Sequence, residues 1–371
     1  GVKFDSTADF EALFQPAVGT MLLELADGHE LDYAHHSLGT VNEEFAFAFT
    51  DTVVSGKSIL ADYNDSLAGV YPTVCVNDYD TAVGMSETAA KSAAPVWRST
   101  GKISGAPKAV IATFPGTNCE YDTARALEKA GACTETVLIG NLTPARLNES
   151  LVQMERALSD AQMLILPGGF SFGDEPDGSG KYIAAFFRNA RMAEAINDLL
   201  EHRDGLMLGI CNGFPALVKL GLLPYGKITD PRENDCTLTF NTIGRHQSKY
   251  ALTKLVSTRS PWLVGLTKGD IYNIPFSHGE GRFVAGPETL AHLFENEQVA
   301  TQYVDDAGSP SLDMPWNING SYAAIEGLVS PGGRILGKMG HSERAGENIC
   351  KNIPGNKWQP IFDNGVRYFR Q

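Results

Sequence analysis

The stretch LMLGICNGFPALVKLG, residues 206–221, sets a cysteine where an apolar strand turns into a helix. Leu206 to Ile210 have the character of a short buried strand, Cys211 follows at once, and Gly209 and Gly213 stand two residues away on either side. A side chain at either glycine would crowd a tight turn. This is the Gly-x-nucleophile-x-Gly pattern of an elbow, in which a strained turn lifts a reactive atom above a sheet and aims the next helix's N-terminus at it. A cysteine at a helix N-terminus is in a setting that favours the thiolate. The same residues also fit a buried structural cysteine, the commoner place for a single thiol, so the flanking chain has to decide.

Working outward, the preceding segment alternates strands and helices. Lys108 to Phe114 (KAVIATF) reads as a buried strand, PGTN as a tight loop, and Cys119 to Ala132 as an amphipathic helix closed by Gly131. Thr136 to Ile139 is a second strand, Leu151 to Ala161 a second helix, and Met163 to Leu166 a third strand running into Pro167-Gly168-Gly169. Ile183 to His202 reads as one long helix leading to the elbow. This spacing predicts parallel βαβ units, and so an α/β fold with an open, doubly wound, mostly parallel sheet. Ligands of such sheets sit beyond the strands' carboxyl ends, where the PGTN loop, the PGGFSFGD loop and Cys211 all fall. From Thr237 onward the texture turns β-rich, giving a C-terminal extension.

The first hundred residues differ. GTMLLELADG (19–28) reads as a strand ending in a turn, HELDYAHHSLGTV (29–41) as a further strand pair, and 51–70 as one helix. The adjacent His35 and His36 point to opposite faces of an extended chain and make no metal site. Residues 1–77 form a small α+β unit, and 78–107, rich in Ser, Thr, Ala, Gly and Pro, a linker to the domain spanning 108–371.

The chain has 371 residues, 43% hydrophobic and 20% charged, with a formal net charge of −14. That balance lacks the basic clusters nucleic-acid binding requires. No apolar run approaches the roughly 20 residues of a membrane span. Cys75, Cys119, Cys133, Cys211, Cys236 and Cys350 are scattered without CxxC spacing, against a zinc site or a disulfide framework and in favour of a reducing cytoplasm.

A cysteine nucleophile needs a base, and the base needs a group to orient it. His341 and Glu343 lie two residues apart after the apolar stretch Arg334 to Met339, a spacing that puts both on one face of extended backbone. His278 and Glu280 repeat the same HxE spacing and are a rival pair. Backbone amides at Asn212, where the helix starts, and at Gly169 are the candidates for an oxyanion hole. Cys119, at the same sheet edge, lacks the flanking glycines of Cys211.

The motifs FPGTNCEYDTARAL, LPGGFSFGDEPDGSGKYIAAFF, GICNGF, TFNTIGRHQSK, FSHGEGRF, ATQYVD, NINGSYAAIEGLVSPGGRILGKMGHSER and NIPGNKWQPIF span about 105–371. Together they resemble the C-terminal part of the large fused phosphoribosylformylglycinamidine synthases, which contains a class I (triad) glutamine amidotransferase domain of flavodoxin-like fold. The resemblance implies that Cys211 attacks the side-chain amide of L-glutamine, His341 protonates the departing ammonia and Glu343 orients the histidine. Ammonia then serves the ATP-dependent conversion of formylglycinamide ribonucleotide to formylglycinamidine ribonucleotide in purine biosynthesis.

It further implies that residues 1–77 are the end of the synthase domain. ATP and Mg2+ would then act in synthase sequence absent from this chain, and the glutaminase part would need neither cofactor nor metal. Gly168, Phe170, Pro215 and His278 are the residues expected to line the glutamine site. The family usually has glutamine four residues after the nucleophile, where this chain has Pro215; proline fits the first turn of a helix, but a polar group near the substrate is lost. Two alternatives are a degenerate glutaminase kept for interdomain packing and another cysteine hydrolase on the same fold.

Overall fold

The computed structural model describes every residue except 7, 9, 73, 76–96, 98, 100–102, 174–177 and 371. The chain divides into two units, Gly1–Thr73 and Val74–Gln371. In the first, β1 (Val2–Phe4), β2 (Gly39–Val41), β3 (Ala46–Phe49) and β4 (Thr52–Ser55) form a sheet in the order β2-β1-β3-β4, accompanied by helices α1 (Phe10–Leu13) and α2 (Gly56–Asp65). The strand expected over 19–28 does not form. Residues 14–38 hold neither helix nor strand, and Met21 and Leu22 are 78% and 83% exposed, so their apolar pattern has no core to face. The helix expected over 51–70 is shorter, because the β-branched residues Thr52, Val53 and Val54, with Ser55, pair with β3 as a strand.

The second unit opens with β5 (Lys108–Thr113), α3 (Glu120–Ala130), β6 (Cys133–Leu138), α4 (Pro144–Leu158) and β7 (Met163–Leu166). It continues with α5 (Lys181–Phe187), α6 (Ala190–Asn197), β8 (Leu206–Ile210), α7 (Gly213–Leu220) and α8 (Leu222–Tyr225). The single helix expected over 183–202 is broken. The Asn189 carboxamide accepts the Arg191 N–H at 3.1 Å and so caps a new helix, which ends in a π-turn over Asp198–His202. Gly131, with φ 96°, closes α3 as expected.

The β-rich segment supplies β9 (Thr237–Thr239), β10 (Gln247–Leu255), β11 (Ile271–His278), β12 (Arg282–Val284), β13 (Val299–Tyr303), β14 (Ile325–Val329) and β15 (Ile335–Lys338), together with α9 (Pro287–Glu295) and α10 (Ile361–Arg370). Five of these strands join the large sheet, whose order is β11-β10-β13-β14-β15-β8-β7-β5-β6. The strands β6, β5, β7, β8 and β15 run parallel, and the remaining four continue the sheet antiparallel. Burial follows that division: β7 and β8 are buried at every residue, as strands covered on both faces must be, while β11 alternates. Of the expected linker 78–107, only 97, 99 and 103–107 lie within the described residues, and there Trp97 and Ile103 pack against the large core.

Candidate active site

Because β5, β7, β8 and β15 are parallel, their carboxyl ends share one edge, and the loops leaving them meet there. Cys211 leaves β8 with φ 51°, a left-handed conformation that a non-glycine residue adopts at a cost. Its N–H donates to the Lys338 carbonyl at 2.9 Å, which ties the elbow to the end of β15. Both flanking glycines are sterically required. A Cβ on Gly213 would lie 2.0 Å from the Leu166 carbonyl oxygen, and one on Gly209 would lie 2.6 Å from that of Gly213. The Cys211 thiol is 6% exposed and donates to the Ser277 carbonyl at 3.6 Å.

His341 reaches the same point from the neighbouring strand. Lys338 stands opposite Ile210 in the parallel register, so the chain leaving β15 runs beside the elbow, and the His341 N–H is anchored on the Pro275 carbonyl at 2.9 Å. His341 Nδ1 donates to Glu343 Oε1 at 2.6 Å, with both residues buried. The His341 Nε2 is buried and has no hydrogen-bond partner among the described residues. Burial works to lower the pKa of His341, but the charges of Glu343 and Cys211 outweigh it and hold the imidazole well above its ordinary value. Burial likewise works to raise that of Glu343, and the His341 charge overcomes it and keeps the carboxyl low.

Gly168 locates the meeting point: a Cβ added there would lie 2.8 Å from His341 Cε1, 3.0 Å from Cys119 Sγ and 3.2 Å from Cys211 Cβ. Gly169, at φ 150°, pairs with Thr117 as an isolated bridge that uses the N–H groups of Asn118 and Phe170 and not its own. Asn212 stands at the start of α7 without a side-chain cap to that helix, and its side chain instead accepts the Ser171 N–H at 3.3 Å, which joins the elbow to the glycine loop. Phe170 is 47% exposed, with its ring 6.2 Å from that of His246. Pro215 is buried in the first turn of α7.

His278 is buried, with Nδ1 3.2 Å from Asn241 Oδ1 and its pKa lowered to about 3 by burial, then by the charges of His341 and His246. Its neighbour Glu280 does not pair with it; that carboxylate accepts the Ser179 N–H at 2.5 Å. The rival HxE pair is thus not a relay.

Sequence reasoning passed over Arg344, which directly follows Glu343 and donates to Cys119 Sγ at 3.0 Å. The Cys119 thiol also lies 3.9 Å from His341 Nδ1. Cys119, His341 and Glu343 have ligating atoms within 4.8 Å of one another, the spacing of a metal cluster. The guanidinium on Cys119 repels a cation, and the imidazole and carboxylate are engaged with each other, so the donor set fits a proton relay better.

Residues 106–369 match the family model described as a CobB/CobQ-like glutamine amidotransferase domain. The PurQ subunit of phosphoribosylformylglycinamidine synthase from Methanococcus maripaludis (strain C7) is 34% identical over 288 residues, covering 71% of this chain and 98% of the relative. The PurQ subunit from Dehalococcoides mccartyi is 34% identical over 274 residues, with the same two coverages of 71% and 98%. Among solved structures, a chain of PurLQS from Thermotoga maritima is similar with a TM-score of 0.51 at 27% identity, over 71% of this chain and 99% of that one. No helix among the described residues is long and apolar enough to cross a membrane. The chain belongs to the CobB/CobQ-like glutamine amidotransferases, in the family of the PurQ subunits of phosphoribosylformylglycinamidine synthase.

Proposed function

We propose that this chain hydrolyses L-glutamine and passes the ammonia to an ATP-dependent synthase that makes formylglycinamidine ribonucleotide for purine biosynthesis in the cytoplasm. The observation that carries the reading is the buried His341–Glu343 pair beside a strained cysteine elbow. Cys211 gives its thiol proton to His341 Nε2, and the thiolate sulfur attacks the side-chain amide carbon of glutamine. The negative charge that forms on the amide oxygen meets the N–H groups of Gly169 and Asn212. His341, with Nδ1 fixed on Glu343, gives a proton from Nε2 to the amide nitrogen, and ammonia leaves as the C–N bond breaks. His341 then takes a proton from water, the hydroxide attacks the thioester, and glutamate departs as the proton returns to sulfur.

Gly168, Phe170, Pro215 and His278 line the glutamine side of this site. ATP and Mg2+ belong to the synthase, since the glutaminase step uses only a thiol, an imidazole and a carboxylate of this chain. Residues 1–77 are the closing piece of the synthase part and 78–107 the linker, which accords with the separate sheet of the first unit. The test is glutamate release from glutamine by the chain together with its synthase, for the wild type and for Cys211→Ala. Release that disappears with the thiol supports the function; release that survives Cys211→Ala contradicts it.

A further inference from the structure

Beneath the relay lies a charge pair with no place in the proton transfers above. Lys338 is 1% exposed and Glu326 0%, and Lys338 Nζ stands 3.5 Å from Glu326 Oε1. A lysine and a glutamate this deeply buried are costly to desolvate, and the attraction between them repays that cost only when their remaining hydrogen bonds are made. Here they are made to one short segment. Lys338 Nζ donates to the Gly340 carbonyl at 2.9 Å and to Ser342 Oγ at 3.1 Å, while Glu326 Oε1 accepts the Gly340 N–H at 2.7 Å.

The residue between Gly340 and Ser342 is His341. The pair therefore grips the backbone immediately before the imidazole and the side chain immediately after it. Two outer contacts brace the grip: Thr301 donates to Glu326 Oε2, and Ser342 Oγ donates to Gln359 Oε1 at 2.6 Å. The Lys338 carbonyl meanwhile accepts the N–H of Cys211. One residue thus touches the nucleophile's backbone through its main chain and the histidine's flanks through its side chain. A Cβ on Gly340 would lie 3.0 Å from Lys338 Nζ, so the grip closes around a residue with no side chain.

We infer that Lys338 and Glu326 are positioning residues of the glutaminase, a buried ion pair that fixes His341 against Cys211. The inference rests on the Cys-His-Glu reading above. It assigns the pair a role in kcat and none in binding glutamine, because neither group belongs to the glutamine-lining set.

The test uses the chain with its synthase, and Cys211→Ala run in parallel establishes that the measured glutamate comes from Cys211. Lys338→Met removes the ammonium and leaves Glu326 buried without its partner, a change that can cost the fold. The deciding variant is therefore Lys338→Met with Glu326→Gln, a neutral pair of similar shape whose amide oxygen still accepts the Gly340 N–H while its NH2 faces the Thr301 hydroxyl, which turns from donating to accepting. The expected result is a thermal midpoint close to wild type, kcat lowered by about 10- to 100-fold, as for a misplacement on the order of 1 Å, and KM for glutamine within about twofold. A folded double variant with kcat within about twofold of wild type overturns the inference and leaves the ion pair a purely structural feature. A double variant that loses KM and kcat together overturns it as well. If Cys211→Ala still releases glutamate, the failure belongs to the glutaminase reading itself, which separates the two outcomes.

Discussion

His341 Nδ1 donates to Glu343 Oε1 across 2.6 Å with both groups buried, which fixes the tautomer and leaves Nε2 as the nitrogen available for chemistry. The same contact decides the charge of the ring, since Glu343 is the largest influence opposing burial.

Glu343→Gln keeps an oxygen acceptor but removes the charge. The His341 pKa, followed by NMR of the imidazole, is expected to fall from its raised value, and kcat for glutamate release to drop by about 100-fold or more. An unchanged His341 titration would show that the carboxylate does not set it.

Gly168→Ala places a methyl group 2.8 Å from His341 Cε1 and 3.2 Å from Cys211 Cβ, so it should lower kcat by about 10- to 100-fold while the protein stays folded. Gly213→Ala instead drives a Cβ to 2.0 Å from a backbone oxygen, that of Leu166. It should cost roughly 1–3 kcal/mol of stability, read as a lower thermal midpoint. Equal effects of the two substitutions on kcat and on stability would contradict this division.

His278 has a pKa near 3 in the fold against 6.5 ordinarily, so between those values the unfolded chain binds a proton that the folded one does not. Its contribution to stability is present above pH 6.5 and is lost as pH falls. Between pH 6.5 and 4.5, His341, with its raised pKa, contributes only at the upper end, where the unfolded imidazole is still gaining its proton, and Glu343, with its lowered one, only at the lower end and with the opposite sign to His341, so His278 dominates the slope among these three. Chemical denaturation across that window should show a loss of roughly 2–3 kcal/mol, flattened in His278→Gln. The same slope in both proteins would place the effect elsewhere.

The parallel half of the fold was legible because its signals are local. Met163 to Leu166 is apolar throughout and stopped by Pro167, Leu206 to Ile210 is an apolar run opened by Gly205, and both strands form with those bounds. The elbow was legible because Gly209 and Gly213 are demanded by contacts within a few residues and by β7 next to it. The break at Asn189 was missed because an asparagine inside an apolar periodic run looks like any polar surface position until its carboxamide is seen to cap. Helices α9 and α10 went unread inside a segment taken as β-rich. The joining of the β-rich segment to the main sheet was hidden as well, because antiparallel register is fixed by partners far apart in sequence, as Ala251 with Ile274. The same distance hid the Arg344 contact to Cys119, 225 residues away, and the grip of Glu326 on Gly340.

The central claim is that Cys211, and not the neighbouring buried thiol of Cys119, is the nucleophile toward glutamine. The most direct test is to treat the chain with a diazoketone analogue of glutamine, which alkylates a nucleophile bound beside it, and to locate the adduct by peptide mass spectrometry. The predicted result is one adduct per chain, on Cys211, blocked by excess L-glutamine and absent in Cys211→Ala. An adduct on Cys119, or labelling of Cys211 that glutamine does not protect, would contradict the account.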